Sequence, residues 1–97
     1  MDKRRKKLTA EEQLDLRERM TALLEEHPDW DVPQVLREIR TSLHLTQRDM
    51  ARVGKISEPT LRNIEARRHS PSIDTVEAML RPFGLKLAVV RTSNNRG

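Results

Sequence analysis

Cysteine is absent from the chain, so disulfides and thiolate zinc sites are excluded, and nothing points to an oxidising compartment. Aromatic residues are nearly absent as well, with Trp30 and Phe83 the only two. Leu, Ile, Val and Met must therefore build the core, which favours a helical domain over a sandwich. No apolar run approaches the roughly 20 residues needed to span a bilayer. The basic N-terminal stretch has no apolar region behind it, as a secretory signal would require. The expected location is the cytoplasm, with no membrane partner. Paired carboxylates, a glycine-rich phosphate loop and an activated nucleophile are all missing, so no catalytic residue is assigned and no enzyme is expected. His27, His44 and His69 lack ligand spacing and read as ordinary surface or helix-end residues; no metal and no cofactor is assigned.

What the chain does have is charge. Of its 97 residues 35% are charged and 35% hydrophobic, polar for a globular chain but not disordered throughout. The length gives room for one compact domain with extra segments at its ends. A domain this small buries a modest fraction of its surface, so a dimer interface would add stability. The net charge of +4 is unevenly spread: +4 over residues 2–7, −6 over 8–31 and +6 over 32–97. A basic body preceded by an acidic segment suggests a polyanion-binding domain with an appendage of other purpose.

Five capping signals divide the chain into helices. Thr9 with Glu12 forms a capping box, followed by Leu16, Met20, Leu23, Leu24 and His27 at helical spacing; Pro28 ends this helix soon after Glu26. That stripe reads as a face packed on its own domain, with a partner-binding face as the alternative. Asp31 caps a second helix carrying Val32, Val35, Leu36, Ile39 and Leu43, to about His44. Thr46 caps a short helix to about Val53, and Ser57 another over about Glu58 to Arg67, with Pro59 tolerated in its first turn. Ser72 caps a further helix with Ile73, Val76, Met79 and Leu80, closed by Pro82 and Gly84. Leu85, Leu87 and Val89 then alternate with their neighbours, predicting a short strand over 85–90. The basic tip and residues 92–97 are expected to be loose.

Two short helices joined by a tight turn and flanked by amphipathic helices are the elements of a helix-turn-helix. Small Ala51 stands where the two must cross, Ile56 plugs the turn, and Leu61 and Ile64 hold the second helix to the rest. Here the sequence resembles the phage-repressor-like (Xre, Cro-C1 type) family of helix-turn-helix regulators. The resemblance lies in the run Leu45-Thr46-Gln47-Arg48-Asp49-Met50-Ala51, then Ile56-Ser57-Glu58-Pro59-Thr60-Leu61-Arg62-Asn63-Ile64-Glu65. It continues through Ser70-Pro71-Ser72-Ile73-Asp74-Thr75 to Phe83-Gly84-Leu85, spanning about residues 34–90. One departure stands out. The family carries glycine where this chain has Lys55, and its glycine lies one place earlier, at Gly54. Either Lys55 takes a left-handed conformation at a cost on the order of 1 kcal/mol, or the turn is remodelled.

The resemblance implies an all-α fold: a five-helix DNA-binding domain with an extra N-terminal helix and a short C-terminal strand. The expected organisation is a basic tip and acidic helix over 1–31, the DNA-binding domain over 32–84, and a dimerising strand with a loose tail over 85–97. It also implies that the Glu58–Arg67 helix enters the major groove. Ser57, Glu58, Pro59, Thr60, Arg62 and Asn63 would then face DNA: Arg suits guanine, Asn adenine, Glu cytosine, and Pro59 a thymine methyl. Glu58 reads equally as a first-turn partner of the helix dipole, and Arg62 as a phosphate contact. Gln47, Arg67 and Arg68 would meet the DNA backbone, and Arg40 would pair with Glu65 to fix the angle of the reading helix.

The implied function is a sequence-specific repressor, autoregulatory, binding an inverted-repeat operator in double-stranded DNA as a homodimer. One helix-turn-helix reads only a few base pairs, and strand 85–90 has no second strand to pair with except its copy in another subunit. The N-terminal helix is the alternative interface. A strand directly after the fifth helix also resembles the antitoxin branch of the family, in which a toxin protein is captured while the shared operon is repressed.

Overall fold

The computed structural model describes residues 8–91, so the basic tip and the tail over 92–97 lie outside the described residues. Five α-helices follow one another: α1 (Ala10–Glu26), α2 (Val32–Ser42), α3 (Gln47–Gly54), α4 (Glu58–Glu65) and α5 (Ile73–Leu80), the last running into a 3-10 turn at Arg81–Phe83. The N-terminal helix is thus the first of five, not an addition to five. Each α-helix starts at a hydroxyl or carboxylate N-cap: Thr9, Asp31, Thr46, Ser57 and Ser72 each accept a backbone N–H from the first turn. Thr9 with Glu12, and Thr46 with Asp49, close reciprocal capping boxes.

The helix ends follow a second rule. Four times the chain leaves a helical segment through a left-handed residue, at His44, Lys55, Arg67 and Gly84. Each time that residue's N–H bonds three residues back, and the next N–H bonds five back, as in Ile56 N to Ala51 O at 3.0 Å. This 6→1 and 5→2 closure satisfies carbonyls that a helix end leaves open. The residue after the left-handed one is Leu45, Ile56 or Leu85, each packed against the core, in three cases. In the fourth it is Arg68, which is exposed. The left-handed turn at Arg67 (φ 62°) also ends α4 at Glu65, two residues before the sequence-based boundary.

The core is aliphatic and methionine-rich, as two aromatics dictate. Leu36, Ile39, Met50, Leu61, Ile64 and Met79 are fully buried, with Val76, Leu80 and Phe83 completing it. From α1 only Met20 enters this cluster, at 1% exposed, while Leu24 is half-buried against its edge. The acidic helix is therefore fastened to the domain by one deep side chain. Arg17 adds a second tie, donating from Nη2 to the Pro82 carbonyl at 2.9 Å with its guanidinium 5.9 Å from the Phe83 ring centroid. His27 stacks on Trp30, ring centroids 4.1 Å apart, and rigidifies the turn into α2.

Residues 85–90 form no strand, and no strand occurs among the described residues. A strand exists through its ladder, and the described part of a single chain supplies no partner for one. Leu85 packs on the core and its N–H closes on Leu80 O at 3.2 Å; beyond it Val89 is 99% exposed. No described helix is long and apolar enough to cross a membrane.

Candidate nucleic-acid interface

The α3–α4 unit is built for close crossing. Ala51 is buried at the contact, and Leu61 and Ile64 anchor the inner face of α4. The glycine at 54 serves packing and not the turn: it is helical and buried, and a Cβ there would lie 2.8 Å from Met79 Cγ on α5. Lys55 takes the left-handed position itself, at φ 60° and ψ 41°, so the turn is not remodelled. The strain of a side chain at positive φ is borne at Lys55 so that α3 and α5 can touch at Gly54.

Glu65 is the centre of the scaffold beneath the interface. Arg40 Nε donates to its Oε2 at 2.8 Å and Arg40 Nη2 to its Oε1 at 3.0 Å, with side-chain exposures of 17% for Arg40 and 5% for Glu65. Gln47 Nε2 donates to the same Oε1 at 3.1 Å, and Arg40 Nη1 reaches Leu45 O at 3.3 Å. One carboxylate therefore joins α2, α3 and α4 at a point where each oxygen is satisfied. Among the described residues no buried side-chain nitrogen or oxygen lacks a partner.

The outer face of α4 carries Glu58, Pro59, Arg62, Asn63 and, just past the helix, Ala66; Pro59, Arg62 and Ala66 are exposed and the others half-buried. Thr60 is turned toward the cap, sharing a 2.7 Å hydrogen bond with the Ser57 hydroxyl. The polar side chains of the interface are engaged with one another. Arg62 Nη2 lies 3.3 Å from Glu58 Oε2, one helical turn away. Arg68 Nη1 donates to Asn63 Oδ1 at 2.8 Å. Arg67 Nη2 donates to both carboxylate oxygens of Asp31, at 2.9 and 3.0 Å.

The residues singled out by sequence thus fall into two groups. Ser57, Glu58, Pro59, Thr60, Arg62, Asn63, Arg67 and Arg68 come together on and around α4. Gln47, at the start of α3, directs its side chain to Glu65 at the end of α4. Two residues beside the first group were not singled out for this surface. Ala66 left no signal beyond its place one turn after Arg62. Asp31 left none, because its partner is 36 residues away and only the tertiary fold brings them together.

A short helix, a left-handed turn and a second short helix with a solvent-facing polar edge define a helix-turn-helix DNA-binding domain. The helix-turn-helix family HTH_3 matches residues 36–90, more than half of the chain, and the chain belongs to this phage-repressor-like (Xre, Cro-C1 type) family of DNA-binding transcription regulators. No curated protein and no solved structure matches it.

Proposed function

We propose that the protein is a sequence-specific repressor that binds an inverted-repeat operator in its own promoter as a homodimer. The observation that carries this reading is the outer edge of α4, where side chains suited to guanine, adenine and cytosine stand in one row on a scaffold fixed by Glu65. Arg67 and Arg68, at the end of that row, supply backbone contacts and salt-dependent affinity. Dimerisation is supported by the segment after Leu85: Val89 and Val90 are exposed, and its pattern suits pairing with a second copy.

The test is a competition titration of promoter fragments against scrambled DNA at fixed salt. Arg62→Ala or Asn63→Ala should weaken operator binding by about 1–3 kcal/mol and relax the choice of base at one position per half-site. A wild-type chain without preference for any fragment of its promoter would end this reading.

A second reading, an antitoxin that also captures a toxin protein, is favoured by the acidic surface of α1, where Glu11, Glu12, Asp15 and Glu18 are exposed. Charge reversal at Glu11, Asp15 and Glu18, which leaves the Glu12 capping box in place, should abolish capture of the neighbouring gene's product and leave operator binding unchanged. Capture that survives the reversal removes α1 from this role.

A further inference from the structure

Asp31 performs two tasks at once. Its Oδ1 accepts the Gln34 N–H at 3.1 Å as the N-cap of α2, and the same carboxylate receives both bonds from Arg67 Nη2. The cap fixes where the carboxylate stands, because its position is set by the start of α2. The left-handed closure after α4 fixes where Arg67 leaves the backbone, at φ 62°. A charge pair is thus held at both ends by rigid backbone. Yet both side chains are more than half exposed, at 52% and 57%, a setting in which an ion pair contributes little to stability. Its effect has to be sought in what else Arg67 would touch.

We propose that Asp31 is an intramolecular substitute for a DNA phosphate: it occupies Arg67 and so weakens operator binding. This rests on the reading of α4 and its C-terminal arginines as the DNA-facing edge. A phosphate that approaches Arg67 meets a carboxylate already on the same guanidinium. Asp31 cannot withdraw without giving up its cap, so the two anions share the cation or one displaces the other. While Asp31 holds Arg67 the pair is neutral, and it releases no counterion on binding. Without the carboxylate, Arg67 acts as a full positive charge. One guanidinium–phosphate attraction regained at about 4 Å in water corresponds to roughly a fivefold change in binding.

The experiment uses the full chain and two neutral caps, Asp31→Asn and Asp31→Ser, both of which keep an oxygen for the Gln34 N–H. Operator affinity is followed by fluorescence anisotropy across a salt series. Both variants should bind about fivefold tighter than wild type at low salt, and log affinity should fall more steeply with log salt by about one unit, as expected for one more neutralised phosphate. On an Arg67→Gln background the gain should shrink below about twofold, the remainder being the screened effect of a carboxylate near DNA. Thermal melting of each variant checks that the cap holds, and Arg67→Gln alone, which leaves the cap untouched, should weaken binding. Wild-type affinity and slope in both neutral-cap variants would overturn the proposal. So would a gain of equal size with and without Arg67. A wild-type chain that binds no DNA is a different result, and it removes the DNA reading and this inference together.

Discussion

Exchanging Gly54 and Lys55 one at a time separates two requirements that a tight turn ordinarily merges. In Gly54→Ala the new Cβ would stand 2.8 Å from Met79 Cγ and 3.2 Å from Met79 Cε. Met79 is fully buried, so it cannot swing aside into solvent; α3 and α5 must part or Met79 must leave its rotamer. Overpacking of this kind costs about 1–3 kcal/mol, against a helix-propensity gain of at most about 1 kcal/mol for replacing glycine by alanine. The net expectation is a loss of about 1–2 kcal/mol, since the steric term exceeds the propensity term. Lys55→Gly should go the other way. It relieves about 1–2 kcal/mol of left-handed strain and gives back about 0.4–1 kcal/mol through the freer unfolded chain, for a net gain of about 0.5–1 kcal/mol. Urea unfolding followed by far-ultraviolet circular dichroism reads both as midpoint shifts at constant slope. The corresponding melting temperature should fall in the first variant and rise in the second, by about 4–8 °C per kcal/mol for a domain of this size. An alanine variant as stable as wild type, or a glycine variant less stable, would refute the division of labour between packing at 54 and conformation at 55.

Three further outcomes are expected. Arg40→Ala should destabilise the fold by about 3 kcal/mol, because a carboxylate only 5% exposed loses its charged partner; in a double-mutant cycle Arg40→Ala with Glu65→Ala should cost less than the two singles summed, and strict additivity would show that they do not interact. Met20→Ala should cost about 2–4 kcal/mol by emptying a fully buried site; a negligible change in urea midpoint would mean that α1 is not part of the core. Removing residues 86–97, which leaves Leu85 on the core, should yield a folded monomer with most operator affinity lost; a truncated chain that still sediments as a dimer would move the interface to α1.

The starts of all five helices were legible from their caps, because an N-cap is a local bargain between one side chain and amides two or three residues away. The ends were less so. Gly84 signalled its left-handed turn, but His44 and Arg67 adopt the same conformation without a glycine to mark it. In both cases the closing hydrogen bonds and the burial or exposure of the next residue decide the matter, and neither is visible in a list of propensities. That residues 57–68 gather on and around α4 was legible from the family pattern, whereas the pairing among their side chains was not. Gln47 reaches Glu65 across 18 residues and Arg67 reaches Asp31 across 36, distances in sequence over which only the packed fold sets partners. Alternation over 85–90 described a face without saying whether anything lies beside it, and a strand needs a neighbour as well as a pattern.

The carboxylate of Glu65 has a consequence for motion. To fray α4 alone, the chain would have to strip Glu65 of Arg40 and Gln47 and leave an arginine head unpaired on α2. Partial openings of that kind are thereby raised toward the free energy of global unfolding. The inner amides of α4, short as that helix is, should exchange with deuterium only when the whole domain opens. If α4 reads the operator as proposed, it meets DNA already ordered, with no stiffening left to do on contact.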